Sequence, residues 1–159
     1  VFVLTLKDVM MEVKQLASQT LIGLKVRTCN ANEMNAGTAN IAELWQKFGE
    51  KFANSLTENT KVYGVYTNYE SDFTGDFDVI ACCDNLSIKL PEAKKVTIQA
   101  GRYLVFKGEG EMPDAVIDLW GEIWQYFSSD DCRYERTYTS DFEYYKNSTE
   151  IEIAIAIKD

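Results

Sequence analysis

Apolar residues recur at helical spacing in two segments of the chain. Spacings of three and four residues bring side chains onto one face of a helix. The first stripe consists of Ile41, Leu44, Trp45, Phe48 and Phe52. Asn40 and Glu43 resemble a capping box at its start. The second stripe predicts a helix from about Asp114 to Ser128, with Pro113 where a first turn tolerates proline; it consists of Val116, Ile117, Trp120, Ile123, Trp124 and Phe127.

Shorter apolar runs, bounded by turn-rich segments, predict strands around these helices. The expected strands are Glu12–Leu16, Leu21–Thr28, Lys61–Tyr69, Phe77–Cys83, Lys95–Gln99, Arg102–Lys107, Tyr134–Thr139, Phe142–Tyr145 and Ile151–Lys158. A polar linker over 30–37 precedes the first helix. The order strand-helix-strand-strand therefore occurs twice, in half-repeats of about 12–90 and 91–159.

This repetition predicts an α+β fold made of duplicated β-α-β-β units with pseudo-two-fold symmetry. We expect antiparallel sheets with two helices around a central ligand cavity, because the groove between two halves is a natural ligand site. Residues 12–159 are predicted to form a single domain. Residues 1–11 are expected to be an N-terminal arm or edge strand.

Charge and residue types exclude several classes of function. The 159 residues carry a net charge of -9, so the surface should repel nucleic acid and we expect no direct contact with it. The apolar start Val1–Leu6 is too short to cross a bilayer, which predicts no membrane association. The chain has no histidine, and its four cysteines form no C-x-x-C pair, so we expect no metal and no cofactor. The cysteines are interpreted as reduced thiols of a cytoplasmic protein.

Aromatic residues are abundant, with three Trp, nine Tyr and eight Phe. Trp45, Trp120 and Trp124 are typical of a packed core as well as of a pocket. Dense tyrosine clusters, such as Tyr63 with Tyr66, favour a cavity wall for some of their members.

One carboxylate lies within the aromatic segment Asp141–Tyr145. Strand alternation sends Glu143 and Tyr145 to one face, and Phe142 and Tyr144 to the other. Composition alone favours an exposed Glu143, because unpaired buried carboxylates are costly. A carboxylate among aromatic rings would instead suit an organic cation.

The last strand, Ile151–Ile157, places isoleucines on one face and Glu152, Ala154 and Ala156 on the other. The isoleucine face is predicted to be core. The small face lets a helix pack closely or leaves room for a ligand.

Three motifs in register carry a resemblance to a known family. The segment 100–108 (AGRYLVFKG) resembles the Gly-x-Tyr-x-x-Phe strand of GyrI-like small-molecule-binding domains, which are also the effector-binding domains of AraC-type and MerR-type multidrug regulators. Segments 62–66 and 141–145 and the closing strand follow in the expected order. Stand-alone integron cassette proteins share this domain, and the chain is similar to those from about Glu12 to Lys158.

The resemblance implies a cavity that takes a lipophilic cationic small molecule. The central glutamate of that cavity matches Glu143, and a ligand-contacting tyrosine matches Tyr63. Cavity-facing helix positions match Ile41 and Trp45 in the first half, and Val116 and Trp120 in the second. We include Tyr66 among the expected ligand-binding residues.

The resemblance also leaves other functions open. Some relatives resemble hydrolases of electrophilic cyclopropane-bearing cytotoxins, in which Glu143 and Trp120 would act on the substrate. An acidic module that binds a protein partner, as a gyrase inhibitor does, is compatible with the charge. A homodimer also stays open. The regulators' DNA-binding helix-turn-helix has no counterpart ahead of the first strand, so direct transcriptional regulation is not expected. Ligand binding without catalysis is the favoured expectation, because the carboxylate among aromatic rings and the family resemblance both point to it.

Overall fold

The computed structural model describes residues 11–159, so the predicted arm over 1–11 lies outside the described residues except for Met11. The described chain forms three α-helices, one short 3-10 helix and eight strands. The helices are α1 (Asn30–Glu33), α2 (Ile41–Phe52) and α3 (Asp114–Ser128), and the 3-10 helix is Ala53–Ser55. The strands are β1 (Met11–Leu16), β2 (Gln19–Thr28), β3 (Val62–Thr67), β4 (Phe77–Cys83), β5 (Lys94–Ile98), β6 (Gly101–Glu109), β7 (Arg136–Tyr145) and β8 (Glu150–Ile157).

All eight strands belong to one antiparallel sheet with the order β1-β6-β8-β7-β3-β4-β2-β5. The predicted α+β fold is therefore confirmed. The repeated units are β2-α2-β3-β4 and β6-α3-β7-β8, and each borrows its edge strand from the other half of the chain. The two halves join at the central pair β3–β7, where Gly64 lies opposite Glu143.

The sheet curls strongly, as the connections between its edges require. Strand β1 lies at one edge and β2 is the next to last strand at the other side, although only Ala17 and Ser18 connect them. Two residues span no more than about 10 Å of extended chain. The concave face therefore encloses a core of its own, made of residues such as Tyr103, Val105 and Ala154.

Each long helix covers one half of the convex face. Leu44, Phe48 and Phe52 of α2 are buried against strands of the first half. Leu119 and Ile123 of α3 pack against the isoleucine face of β8, as the alternation predicts. A cavity forms between the two helices, over the central strands of the sheet.

Three local predictions are corrected by the structure. The linker over 30–37 contains the short helix α1. The two strands predicted over 134–145 are one strand, β7, with a register irregularity between Arg136 and Asp141. The capping box does not form, since Asn40 makes no side-chain cap hydrogen bond. Instead, the carboxylate of Glu33 accepts hydrogen bonds from the backbone N–H groups of Asn40 and Ile41.

None of the helices within residues 11–159 has the length and hydrophobicity needed to span a bilayer.

Candidate functional site

The cavity between the two long helices has a volume of about 1210 Å³. Ile41 and Trp45 reach it from α2, and Val116 and Trp120 reach it from α3. These two pairs have the same i, i+4 spacing, so each helix presents an aliphatic residue and an indole one turn apart. Strands β3 and β7 supply the floor of the cavity, including Glu143.

Glu143 is the carboxylate at the centre of this floor, and only 2% of its surface is exposed. Its Oε2 atom accepts hydrogen bonds from the hydroxyl of Tyr66 and from Nε1–H of Trp120, both at 2.8 Å. Its Oε1 atom accepts a hydrogen bond from the hydroxyl of Tyr145, also at 2.8 Å. The donors come from β3, α3 and β7, so the tertiary fold holds the carboxylate in one orientation.

Space for the carboxylate depends on Gly64, its partner on β3. A Cβ atom at this position would collide with Oε1 of Glu143 and would lie 3.0 Å from Cζ2 of Trp45. Glycine is therefore the residue that allows the Glu143 side chain to lie flat across the sheet.

Burial and hydrogen bonding act on Glu143 in opposite directions. Removal from water raises the pKa of its carboxyl, while the hydrogen bonds from Trp120, Tyr66 and Tyr145 lower it, and the net pKa lies above the ordinary value of 4.5. Burial, together with the adjacent Glu143, also raises the pKa of Tyr66 and of Tyr145. The tyrosines therefore remain protonated and act as donors.

The aromatic wall repeats one arrangement on both sides of Glu143. Trp45 meets Tyr145 edge to face at 5.1 Å between ring centroids, and Trp120 meets Tyr66 in the same way at 5.2 Å. Offset and edge-to-face pairs of this kind are favourable. Three exposed apolar side chains, Phe73, Ile117 and Trp124, continue the wall outwards. All three tryptophans of the chain therefore line the cavity.

Six of the seven residues expected from the sequence line this cavity; they are Ile41, Trp45, Tyr66, Val116, Trp120 and Glu143. The structure does not bring Tyr63 there, and this expectation is corrected. Successive strand residues face opposite sides, so Tyr63 projects from the concave face while Tyr66 projects towards the helices. There Tyr63 stacks on Tyr144 at 5.1 Å and its hydroxyl accepts a hydrogen bond from Gln19.

Tyr63 lines a second, smaller cavity of about 390 Å³ on the concave face. Ala154 and Glu152 of β8 also line it. In the described residues no helix packs on this small face; Ala154 and Ala156 are buried in the core of the concave face, and Ala154 also borders the smaller cavity.

Sequence reasoning missed several residues of the main cavity. Tyr145 was placed on the same face as Glu143 by strand alternation but was not expected to bind ligand, although it is one of the three donors. The position of Trp124 in the cavity wall could have been predicted, because Trp124 follows Trp120 by one helical turn. Arg136 and Tyr69 gave no usable sequence signal, because an irregular strand and a loop bring them to the cavity.

The described part of the chain, residues 11–159, contains no group of three or more Cys, Asp or Glu side chains placed to hold a metal ion. The floor of the cavity holds Glu143 with its neutral donors; Glu33 and Arg136 are further charged residues of the lining, and the rest of the wall is predominantly apolar.

Comparison with known proteins identifies relatives over nearly the whole chain. The model of the Cass2 family, described as integron-associated effector binding protein, matches residues 12–157. The crystal structure of integron cassette protein VCH_CASS2, from the mobile metagenome of Vibrio cholerae, is 51% identical, with a TM-score of 0.89 over 93% of this chain and 95% of that one. The resemblance predicted from the three motifs is confirmed.

Two further relatives are more distant. The protein YobU of Bacillus subtilis (strain 168) is 29% identical over 149 residues, or 86% of this chain and 90% of its own length. The structure of SAV2435 bound to tetraphenylphosphonium has a TM-score of 0.70 at 21% identity, covering 93% of each chain. At that identity the likeness concerns the fold.

Proposed function

This chain belongs to the Cass2 family of integron-associated effector-binding proteins, and on that premise we propose that it binds bulky lipophilic cations in the cavity between α2 and α3. The observation that carries this proposal is the buried carboxylate of Glu143 in an aromatic wall. We propose that Glu143 supplies the counter-charge, while Trp45, Trp120, Tyr66, Ile41 and Val116 contact the body of the ligand.

The electrostatics of Glu143 favour a cationic ligand. Its hydrogen-bond partners in the described residues are two phenols and one indole, which are neutral, and no ion pair involves it there. A buried carboxylate without a counter-charge is costly, which agrees with its raised pKa. A cation placed beside Glu143 would stabilise the charged form and would offset this cost.

The shape and chemistry of the wall favour a lipophilic ligand. Indole and phenol rings attract cations through their faces and offer large apolar contact areas. The volume of about 1210 Å³ exceeds the range usual for drug-sized ligands, roughly 300–1,000 Å³. A bulky ligand with several rings would therefore fit, and tetraphenylphosphonium, to which SAV2435 is bound, is a suitable probe.

The experiment compares two ions of the same shape and opposite charge. Tetraphenylphosphonium and tetraphenylborate are titrated separately into the wild-type protein, and quenching of tryptophan fluorescence is followed, since all three tryptophans line the cavity. We expect saturable quenching by the phosphonium and much weaker binding of the borate. In Glu143→Gln, the phosphonium should bind at least about tenfold more weakly, which corresponds to about 1.4 kcal/mol.

Glu135→Gln is the matched control, because it removes the same charge from a side chain that is 73% exposed. This variant should bind both ions as the wild type does. Equal affinity for the two ions in the wild type, or unchanged phosphonium binding in Glu143→Gln, would refute the proposal.

A second candidate function, hydrolysis of an electrophilic cyclopropane-bearing compound, is favoured by the acceptor capacity of Glu143. An ionised carboxylate has about four acceptor sites, and three are occupied here. The remaining site, with the raised pKa, suits a base that takes a proton from water while the water oxygen attacks a ring carbon. The ring C–C bond breaks, the carbon that keeps its electron pair receives the proton from Glu143, and the carboxylate is regenerated. Ring-opened product with the wild type and none with Glu143→Gln would support hydrolysis, whereas absence of turnover would leave binding alone.

A further inference from the structure

A positively charged group borders the same cavity. Arg136 lies at the start of β7 and lines the cavity with Glu143. Its Nη2 atom donates a hydrogen bond of 2.7 Å to Oδ2 of Asp141, and the two side chains are only 7% and 0% exposed. The guanidinium also lies over the ring of Tyr138, 4.4 Å from the ring centroid. Arg136 is therefore a buried, oriented group.

The guanidinium has more donors than its partner can accept. Asp141 already accepts a hydrogen bond at Oδ2 from the Tyr69 hydroxyl and another at Oδ1 from the backbone N–H of Ala156. Arginine offers five N–H donors, and within the described chain Nε of Arg136 is buried without any acceptor. This Nε atom has no accessible surface, so an acceptor in the cavity would meet the terminal Nη groups, of which Nη2 donates to Asp141.

The register of the sheet sets the spacing between the two polar groups. Arg136 pairs with Ile157 of β8, whereas Glu143 pairs with Ile153. Residues four apart on a strand face the same side and are separated by about 13 Å. Allowing for the reach of the two side chains, a ligand that meets both needs polar groups on the order of 10 Å apart.

We propose that the cavity selects elongated lipophilic cations that carry a neutral hydrogen-bond acceptor, such as a ketone or ether oxygen, about 10 Å from the cationic centre. The cationic centre lies beside Glu143, and the acceptor receives a hydrogen bond from Arg136. A neutral acceptor is preferred to an anion because Asp141 already compensates the charge of Arg136. This inference rests on the proposed function and adds a second determinant of specificity to it.

The test uses three alkyltriphenylphosphonium salts of equal chain length. One has a plain alkyl chain, one has a ketone about 10 Å from phosphorus, and one has the same ketone close to phosphorus. The wild type should bind the salt with the distal ketone about three- to tenfold more tightly than either of the other two salts. The measured quantity is this affinity ratio within each variant, determined by tryptophan fluorescence.

Two variants separate the roles of the charges. Arg136→Lys retains a cation beside Asp141 but lacks the planar fork and its additional Nη donors, so the ratio should fall to near one. Glu143→Gln should weaken all three salts and leave the ratio as it is in the wild type. If Arg136→Lys does not fold, the affinities of the wild type for the two ketone isomers still test whether the position of the acceptor matters.

A wild-type ratio near one for the distal ketone, or a ratio retained in Arg136→Lys, would overturn this inference. Neither result would affect the proposed function, which depends on the discrimination between phosphonium and borate. Loss of that discrimination would instead remove the basis of both.

Discussion

The close approach between Gly64 and Glu143 leads to a prediction that tests the site through its packing. Gly64→Ala adds one methyl group at the centre of the sheet, where its Cβ atom would collide with the Glu143 carboxylate and press on Trp45. The backbone there needs no special conformation of glycine, because Gly64 lies within the regular strand β3. Backbone strain therefore does not contribute, and the collision of the methyl group opposes only the stabilisation of about 0.4–1 kcal/mol that alanine brings by restricting the unfolded chain.

The expected magnitude follows from the neighbours of that methyl group. Overpacking of a close-packed site costs about 1–3 kcal/mol. If the carboxylate moves away, its hydrogen bond with Tyr145, made by the Oε1 atom in the collision, is also weakened. We expect a loss of about 1–3 kcal/mol in the free energy of unfolding, or a fall in Tm of about 2–12 °C for a chain of this size.

Urea denaturation followed by circular dichroism measures the loss, and the phosphonium titration measures the accompanying fall in affinity. Gly49→Ala is the control, because Gly49 lies in α2, where an added Cβ would have open space around it. That change should stabilise the protein by about 0.5–1 kcal/mol, since alanine favours helices.

A double-mutant cycle separates the collision with Glu143 from other effects. In a Glu143→Ala background the carboxylate is gone, so Gly64→Ala should cost at least about 1 kcal/mol less than in the wild type. An equal cost in both backgrounds, or a Gly64→Ala protein with wild-type stability and affinity, would show that this packing argument is wrong.

Two further predictions concern the buried acids. Because folding raises the pKa of Glu143 above its ordinary value of 4.5, its contribution to stability is fully present below that value and is lost as pH rises through the raised pKa. From acid to neutral pH, the urea midpoint of the wild type should therefore fall relative to that of Glu143→Gln. If the two midpoints change with pH in parallel, the raised pKa of Glu143 is contradicted. Asp141→Asn leaves Arg136 buried without its counter-charge and should lower the free energy of unfolding by about 3–5 kcal/mol. Glu135→Gln removes a carboxylate from an exposed ion pair and should lower the free energy of unfolding by no more than about 1 kcal/mol in the same urea assay. A similar loss in both variants would show that the buried pair of Arg136 and Asp141 does not stabilise the fold more than an exposed pair does.

The periodicity of apolar residues was sufficient to predict most elements of the fold. The bounds of α3 and β4 agree with their predictions, because an amphipathic stripe and a buried strand are local patterns. Local patterns gave wrong predictions where the conformation depends on a residue elsewhere in the chain. The cap of α2 comes from Glu33 and not from Glu43, and the predicted break within β7 is an irregularity of one strand.

For the candidate site, the sequence by itself determined the residue types and the side of the strand that each one faces. Alternation placed Glu143 and Tyr145 together, and the family resemblance pointed to the helix positions Trp45 and Trp120. Composition alone favoured an exposed Glu143, and the structure shows it buried. Composition weighs the cost of a buried charge but does not reveal the donors that offset part of this cost.

Only the tertiary structure decided which of these residues meet. Alternation alone puts Tyr63 and Tyr66, three residues apart on one strand, on opposite faces, but only the curl of the sheet gives each face a cavity of its own. The donors to Glu143 come from three elements far apart in the chain, and the spacing between Glu143 and Arg136 depends on strand register. Side-chain facing is a local property with a period of two, whereas contact between elements depends on how the whole sheet closes.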